Sequence, residues 1–120
     1  MDYGQFAIEA SSESVATGAM AGPIYLPAQG SGITVIPAAG GTMRVFKSTS
    51  PQQSIIADVA NGTLSYANLI AGTQPTNSTW MLWAPGAVTV TTNQGPLESD
   101  GDVAIIATAT GAAGRLEVTR

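Results

Sequence analysis

Three carboxylates stand at alternate positions in "LESDGDV", residues 97–103: Glu98, Asp100 and Asp102. Oxygen ligands at that spacing could hold Ca²⁺, but a calcium loop needs further ligands at set offsets and a closing bidentate Glu. Here Val103 and Ala104 follow instead. Asp-Gly is ordinary turn chemistry, so the run reads as a polar turn before a strand, and no metal is expected. Asn61-Gly-Thr63 and Asn77-Ser-Thr79 match the glycosylation acceptor pattern. The first residues, "MDYGQFAIEASSES", lack the basic start and apolar core of a signal peptide. Neither acceptor is therefore expected to be modified, and Asn61 is explained by a turn. Ser and Thr are plentiful, but no His is present to activate them. Lys47 could take that role, although its place on an alternating strand reads as a solvated face. The Gly-rich "AAGGTM" lacks the Lys-Ser/Thr of a phosphate cradle. No catalytic residue, enzyme activity or cofactor is expected.

Both tryptophans, Trp80 and Trp83, fall within four positions of "NSTWMLWAPGAVTVTT" (77–92), although the chain has only two Trp, three Tyr and two Phe. In a strand, Trp80 and Leu82 face one way and Met81 and Trp83 the other, so both faces are large and apolar. One face can fill a core between two sheets. The other needs a cover, either an N-terminal arm or another chain. Trp and Met anchor interfaces, and strand ends lie at the rim of a sandwich. Trp80 is accordingly expected in the sandwich core and Trp83 nearer an interface. Packing of both indoles inside one protomer and an aromatic platform for sugar are the other readings.

The elements that must position these residues are short. Turn signals recur about every ten residues, with β-branched runs between them, as in a sandwich or barrel. The expected strands are 5–9, 24–26, 33–36, 42–48, 54–60, 63–70, 79–83, 87–92, 103–110 and 115–119. "TMRVFKS" and "GAVTVTT" alternate cleanly, while "DVAIIATAT" is apolar on both faces at its start, as in a central strand. "SPQQSIIADVANG" has two readings. One is a helix with Ser50 as N-cap, Pro51 at its first position and a stripe of Ile55, Ile56, Val59 and Ala60. The other is a hairpin turning at Asn61-Gly62, pairing Val59 with Leu64 and Ala57 with Tyr66. The turn signal and the strand preference of Ile and Val favour the hairpin.

The 120 residues fit one domain. The fold expected is a single-domain, all-β antiparallel β-sandwich, jelly-roll or immunoglobulin-like, with a loose N-terminal arm. Residues 1–32 are the arm or edge segment and 33–120 the sandwich core. Only 10 % of residues are charged, the net charge is −4, and there is no Cys. Four cations do not make the clustered Lys/Arg that nucleic acid or an anionic membrane requires. No run approaches 18 apolar residues, so no membrane span is expected. Low charge with 44 % apolar residues suggests a surface partly hidden by neighbours. The candidate interface residues are Ile24, Tyr25 and Leu26 in the arm, with Met81 and Trp83.

From Trp83 onward the text is "WAPGAVTVTTNQGPLESDGDVAIIATATGAAGRLEV". It resembles small structural proteins of tailed bacteriophages encoded near the capsid gene, through Trp83, Gly86, Val88, Thr89, Gly101, Ala104, Ile105, Gly114 and Val118. Where such proteins often carry an Arg late in the Ala/Ile strand, this chain has Ile106, so no arginine contact is carried over. The resemblance implies a capsid decoration, or cement, protein that stabilises the shell by binding it only when assembled. It would be a homo-oligomer, dimer or trimer, on the major capsid protein at the virion surface, assembled in the host cytoplasm. Gly/Thr/Val strands also recur in bacterial immunoglobulin-like modules. The alternative is therefore a binding module, an adhesin domain or a carbohydrate-binding phage tail domain.

Overall fold

The computed structural model describes residues 10–26, 32–83, 88–89, 94–98 and 103–119. In chain order these form β1 (Ala10–Val15), β2 (Met20–Leu26), β3 (Gly32–Pro37), β4 (Thr42–Ser48), α1 (Gln52–Asn61), α2 (Tyr66–Ala71), β5 (Met81–Leu82), β6 (Val88–Thr89), β7 (Gln94–Glu98), β8 (Val103–Thr110) and β9 (Gly114–Thr119). One sheet has the order β1-β9-β3-β7. The other runs β2-β8-β4-β5, with β6 also paired to β4. All these pairings are antiparallel. The fold is a single-domain antiparallel β-sandwich. Among the described residues no helix is long and apolar enough to cross a membrane.

Alternation explains the layering. Met43 and Val45 of β4, and Ile105 and Ala107 of β8, point inward against Ile33, Val35, Leu116 and Val118 of the opposite sheet. The intervening Phe46, Ala104 and Ile106 point outward into a second core, closed by Ile55, Leu64, Leu69 and Trp80. β8 is thus buried on both faces, which is why its sequence is apolar on both. The molecule has three layers: sheet, sheet, and a cap made by residues 50–80, whose outer surface continues onto the edge strand β5.

That cap corrects the hairpin reading. Residues 52–61 are helical and Tyr66 lies in a second helix, so the strands expected at 54–60 and 63–70 are absent. Asn61-Gly62 ends α1: Gly62 takes φ 79° and donates its N–H to the Val59 carbonyl. A left-handed Gly serves a helix C-terminus as well as a hairpin. The Ser50 N-cap is also corrected. Pro51 occupies the capping position without a side-chain bond, while Ser50 Oγ accepts from the Thr79 N–H at 3.0 Å. Nor does the expected stripe face inward. Ile55 and Asp58 are the buried residues of α1, and Ile56, Val59 and Ala60 are exposed. α2 is capped by Ser65, whose Oγ accepts from Asn68 N, and it ends at Gly72.

The segment read as an arm or edge supplies one edge strand to each sheet, β1 against β9 and β2 against β8. The chain crosses between the sheets at 16–19, where Gly18 N–H bonds the Ala109 carbonyl at 2.8 Å. The 42–48 and 103–110 strands match their expected limits. β1 and β7 were not among the expected strands. The strand expected at 5–9 and the residues Asp100 and Asp102 lie outside the described residues.

Candidate functional site

The cap is organised around one buried carboxylate. Asp58 is 0 % exposed. The Asn77 N–H reaches both its oxygens, at 2.9 and 3.0 Å. Asn77 Nδ2 donates to Oδ1 at 2.9 Å and Ser78 Oγ donates to Oδ2 at 2.6 Å. Thr63 Oγ1 and Asn61 Nδ2 stand farther off, each 3.4 Å from Oδ1. Burial by itself pushes the carboxyl pKa up. The bonds from Ser78, from the backbone and side chain of Asn77, and from Asn61 outweigh it and hold the pKa below the usual carboxylate value. Neutral donors therefore keep this group ionised. Among the described residues no three His, Cys, Asp or Glu side chains come together as a metal site. A carboxylate has about four lone-pair positions, and here they are taken by the donors of the cap.

What it holds is the loop before β5. Ser78 Oγ accepts from Trp80 Nε1 at 3.0 Å. The Gln74 side-chain amide grips the Trp80 backbone at both ends, accepting from its N–H and donating to its carbonyl, each at 2.8 Å. The indole is thereby fixed over Phe46, Leu69 and Ile106. Trp80, 3 % exposed, is in a core as expected. It lies under the helices, however, and not between the sheets, because the outer face of β4 is the one its loop covers. So buried a ring cannot serve as a sugar platform. Trp83 packs partly buried against the inter-sheet core, with Lys47 Nζ 5.5 Å from its ring centroid. Lys47 therefore stacks on an aromatic face.

Of the other interface candidates, Ile24 and Leu26 are core residues between the sheets. Tyr25, between them, points outward and is exposed, and Met81 is 58 % exposed. The regular strand is shorter than 79–83: Met81 and Leu82 pair with β4, opposite Lys47 and Phe46, and the Trp83 N–H bonds the Val45 carbonyl at 2.8 Å. The two faces expected there do hold, with Met81 across from Lys47 and Leu82 beside Phe46 and Trp80 in a hollow of about 190 Å³.

The surface of the cap is chemically unusual. Between Lys47 and Glu98 the sequence has one charged residue, Asp58, and that one is buried. The cap surface consists instead of amides, hydroxyls and exposed apolar side chains: Ile56, Val59 and Ile70 on the helices, Met81 and Leu82 on β5. A cleft of about 510 Å³ lies between the start of α1 and the end of β2, lined by Tyr25, Ser48, Ser50, Gln52 and Val103 among others. Ser48 Oγ is occupied there by the Ser50 N–H at 3.1 Å.

Comparison with family models, curated proteins and solved structures gives no match. Sequence reasoning passed over Asp58, the residue that organises the cap. Its signal was its solitude: the lone charged residue in a run of fifty must be either solvated or fully ligated.

Proposed function

We propose that this chain is a non-enzymatic structural subunit that docks through its cap on a larger protein assembly, in the manner of a capsid decoration protein. The observation that carries the reading is the uncharged cap surface. A lone soluble monomer keeps charge on every face, whereas the centres of protein interfaces are depleted of it and rich in Met and aromatic side chains. Among the described residues Glu13, Arg44, Lys47, Arg115 and Glu117 sit on strands, and the cap offers Ile70, Met81 and Leu82 around the hollow over Trp80. The resemblance of residues 83–118 to phage structural proteins supplies the kind of assembly.

The test is co-sedimentation with shells built from the capsid protein of the same genome. The protein should pellet with assembled shells, stay in solution with unassembled subunits, and raise the melting temperature of the shell, because a ligand of the assembled state stabilises that state. Met81→Lys and Leu82→Lys should abolish pelleting. Failure of the unaltered protein to pellet, with retention on a polysaccharide column instead, would make it the carbohydrate-binding module of the alternative.

A further inference from the structure

We propose that Asn61 is a site of self-modification: the Gly62 nitrogen displaces its side-chain amide as ammonia, and the aspartate or isoaspartate left behind loosens the cap by setting a second carboxylate beside Asp58. The chemistry does not depend on what the cap docks on.

The first ground is access. Asn61 and Gly62 are both exposed at the end of α1. A Cβ on Gly62 would meet nothing within 4 Å, so no neighbour crowds the approach, and glycine brings no side chain of its own to the attacking nitrogen. The other described asparagines, Asn68 and Asn77, precede Leu69 and Ser78, whose side chains hinder the same attack. Their amides are also held, Asn68 Nδ2 on the Thr63 carbonyl and Asn77 Nδ2 on Asp58, each at 2.9 Å. The second ground is polarisation. Asn61 Oδ1 accepts from the Thr63 N–H at 2.9 Å and from Thr63 Oγ1 at 2.7 Å. Two donors on the amide oxygen favour the negative charge that develops there as a nitrogen adds to Cγ. The third ground is release. The peptide plane after Asn61 must turn out of its helical setting to bring the Gly62 nitrogen to Cγ, and this breaks the Gly62 N–H bond to the Val59 carbonyl. At 3.3 Å that bond is long, and it lies in the last turn, where helices fray.

The step balances with water as the sole co-reactant. The Gly62 N–H gives its proton to solvent base and the N–Cγ bond forms. The Cγ–Nδ2 bond breaks, and ammonia leaves with a proton returned from solvent. Water then opens the cyclic imide at either carbonyl. One opening gives aspartate; the other gives isoaspartate, with the main chain rerouted through the side-chain carbonyl. Nothing is oxidised or reduced. The consequence falls on Asp58. Asn61 Nδ2 lies 3.4 Å from Asp58 Oδ1, so the product exchanges a donor to the buried carboxylate for a like charge next to it. It also gives residues 48–83 their first exposed charge.

Incubation of the full chain for weeks in mildly alkaline buffer, followed by peptide mapping in a mass spectrometer, tests this. The mass gain of amide-to-acid exchange should appear at Asn61 ahead of Asn68 and Asn77, and faster as pH rises. Asn61→Gln, whose longer side chain must close a larger ring, should show none at that position. Asn61→Asp should lower the melting temperature by about 3–5 °C. The drop should shrink in an Asp58→Asn background, where no charge faces the new carboxylate. A folded chain that keeps Asn61 intact while the denaturant-unfolded chain converts it overturns the proposal, because the fold then shields the pair. Conversion with no loss of melting temperature, or a loss of the same size in the Asp58→Asn background, overturns the coupling to Asp58.

Discussion

The Ser78 hydroxyl donates to the Asp58 carboxylate over 2.6 Å, twenty residues apart in sequence, where neither side chain meets solvent. This bond joins α1 to the loop that carries Trp80, and so joins the helical cap to the sandwich beneath it.

Removing the carboxylate should cost much of the stability of the cap. Asp58→Ala leaves the buried Ser78 hydroxyl without its acceptor, at about 1–3 kcal/mol, and frees the part-buried Asn77 N–H. Asp58→Asn keeps the shape and one acceptor oxygen and should cost less. Chemical denaturation of the three proteins checks the order: unaltered, then Asn, then Ala.

Acid should act through the same residue. The folded pKa of Asp58 lies below its ordinary value, so the unfolded chain takes up its proton first as pH falls. The stabilisation is complete above the unfolded carboxylate pKa of about 4 and is lost as pH drops through the lower folded value. The melting temperature should therefore fall below about pH 4 more steeply in the unaltered protein than in Asp58→Asn. Parallel pH–melting curves for the two would exclude Asp58 as the source.

The two indoles should report separate environments. Trp80 is sealed under α2, and Trp83 is partly buried beside Lys47. In the Trp83→Phe variant the remaining fluorescence should be blue-shifted and poorly quenched by acrylamide; in Trp80→Phe it should be red-shifted and quenched. Trp80→Ala should cost about 3–5 kcal/mol, as for other buried aromatics, and Trp83→Ala less.

Much of the sandwich was legible because alternation is a local signal. β4 and β8 matched their limits, and the apolar start of "DVAIIATAT" marked a strand covered on both sides. The cap was not legible, for a reason visible at Asn61-Gly62. A glycine with positive φ fits a hairpin turn and a helix C-terminus equally, and Ile55-Ile56 suits either element. The choice was made by Asp58, whose partners Asn77 and Ser78 lie too far along the chain for any local pattern to reveal. The same partners rotate Asp58 inward and so turn Ile56 and Val59 out, against the expected stripe. β1 escaped because "ASSESV" is a polar edge strand with little apolar alternation to read.

Gly62 offers a local check on the helix reading. A Cβ there meets nothing within 4 Å, so Gly62→Ala bears only the cost of a left-handed L-residue, about 1–2 kcal/mol. In a hairpin the same substitution would disturb the register of Val59 and Leu64. NMR chemical shifts of the variant should stay helical across 52–61.

Amide hydrogen exchange on the protein, free and bound to assembled shells, tests the docking role of the cap most directly. Binding should slow exchange in 52–61, 66–71 and 81–82, with β1 and β9 of the far sheet unchanged. Protection confined to β1 and β9, with the cap exchanging as in the free protein, would contradict it.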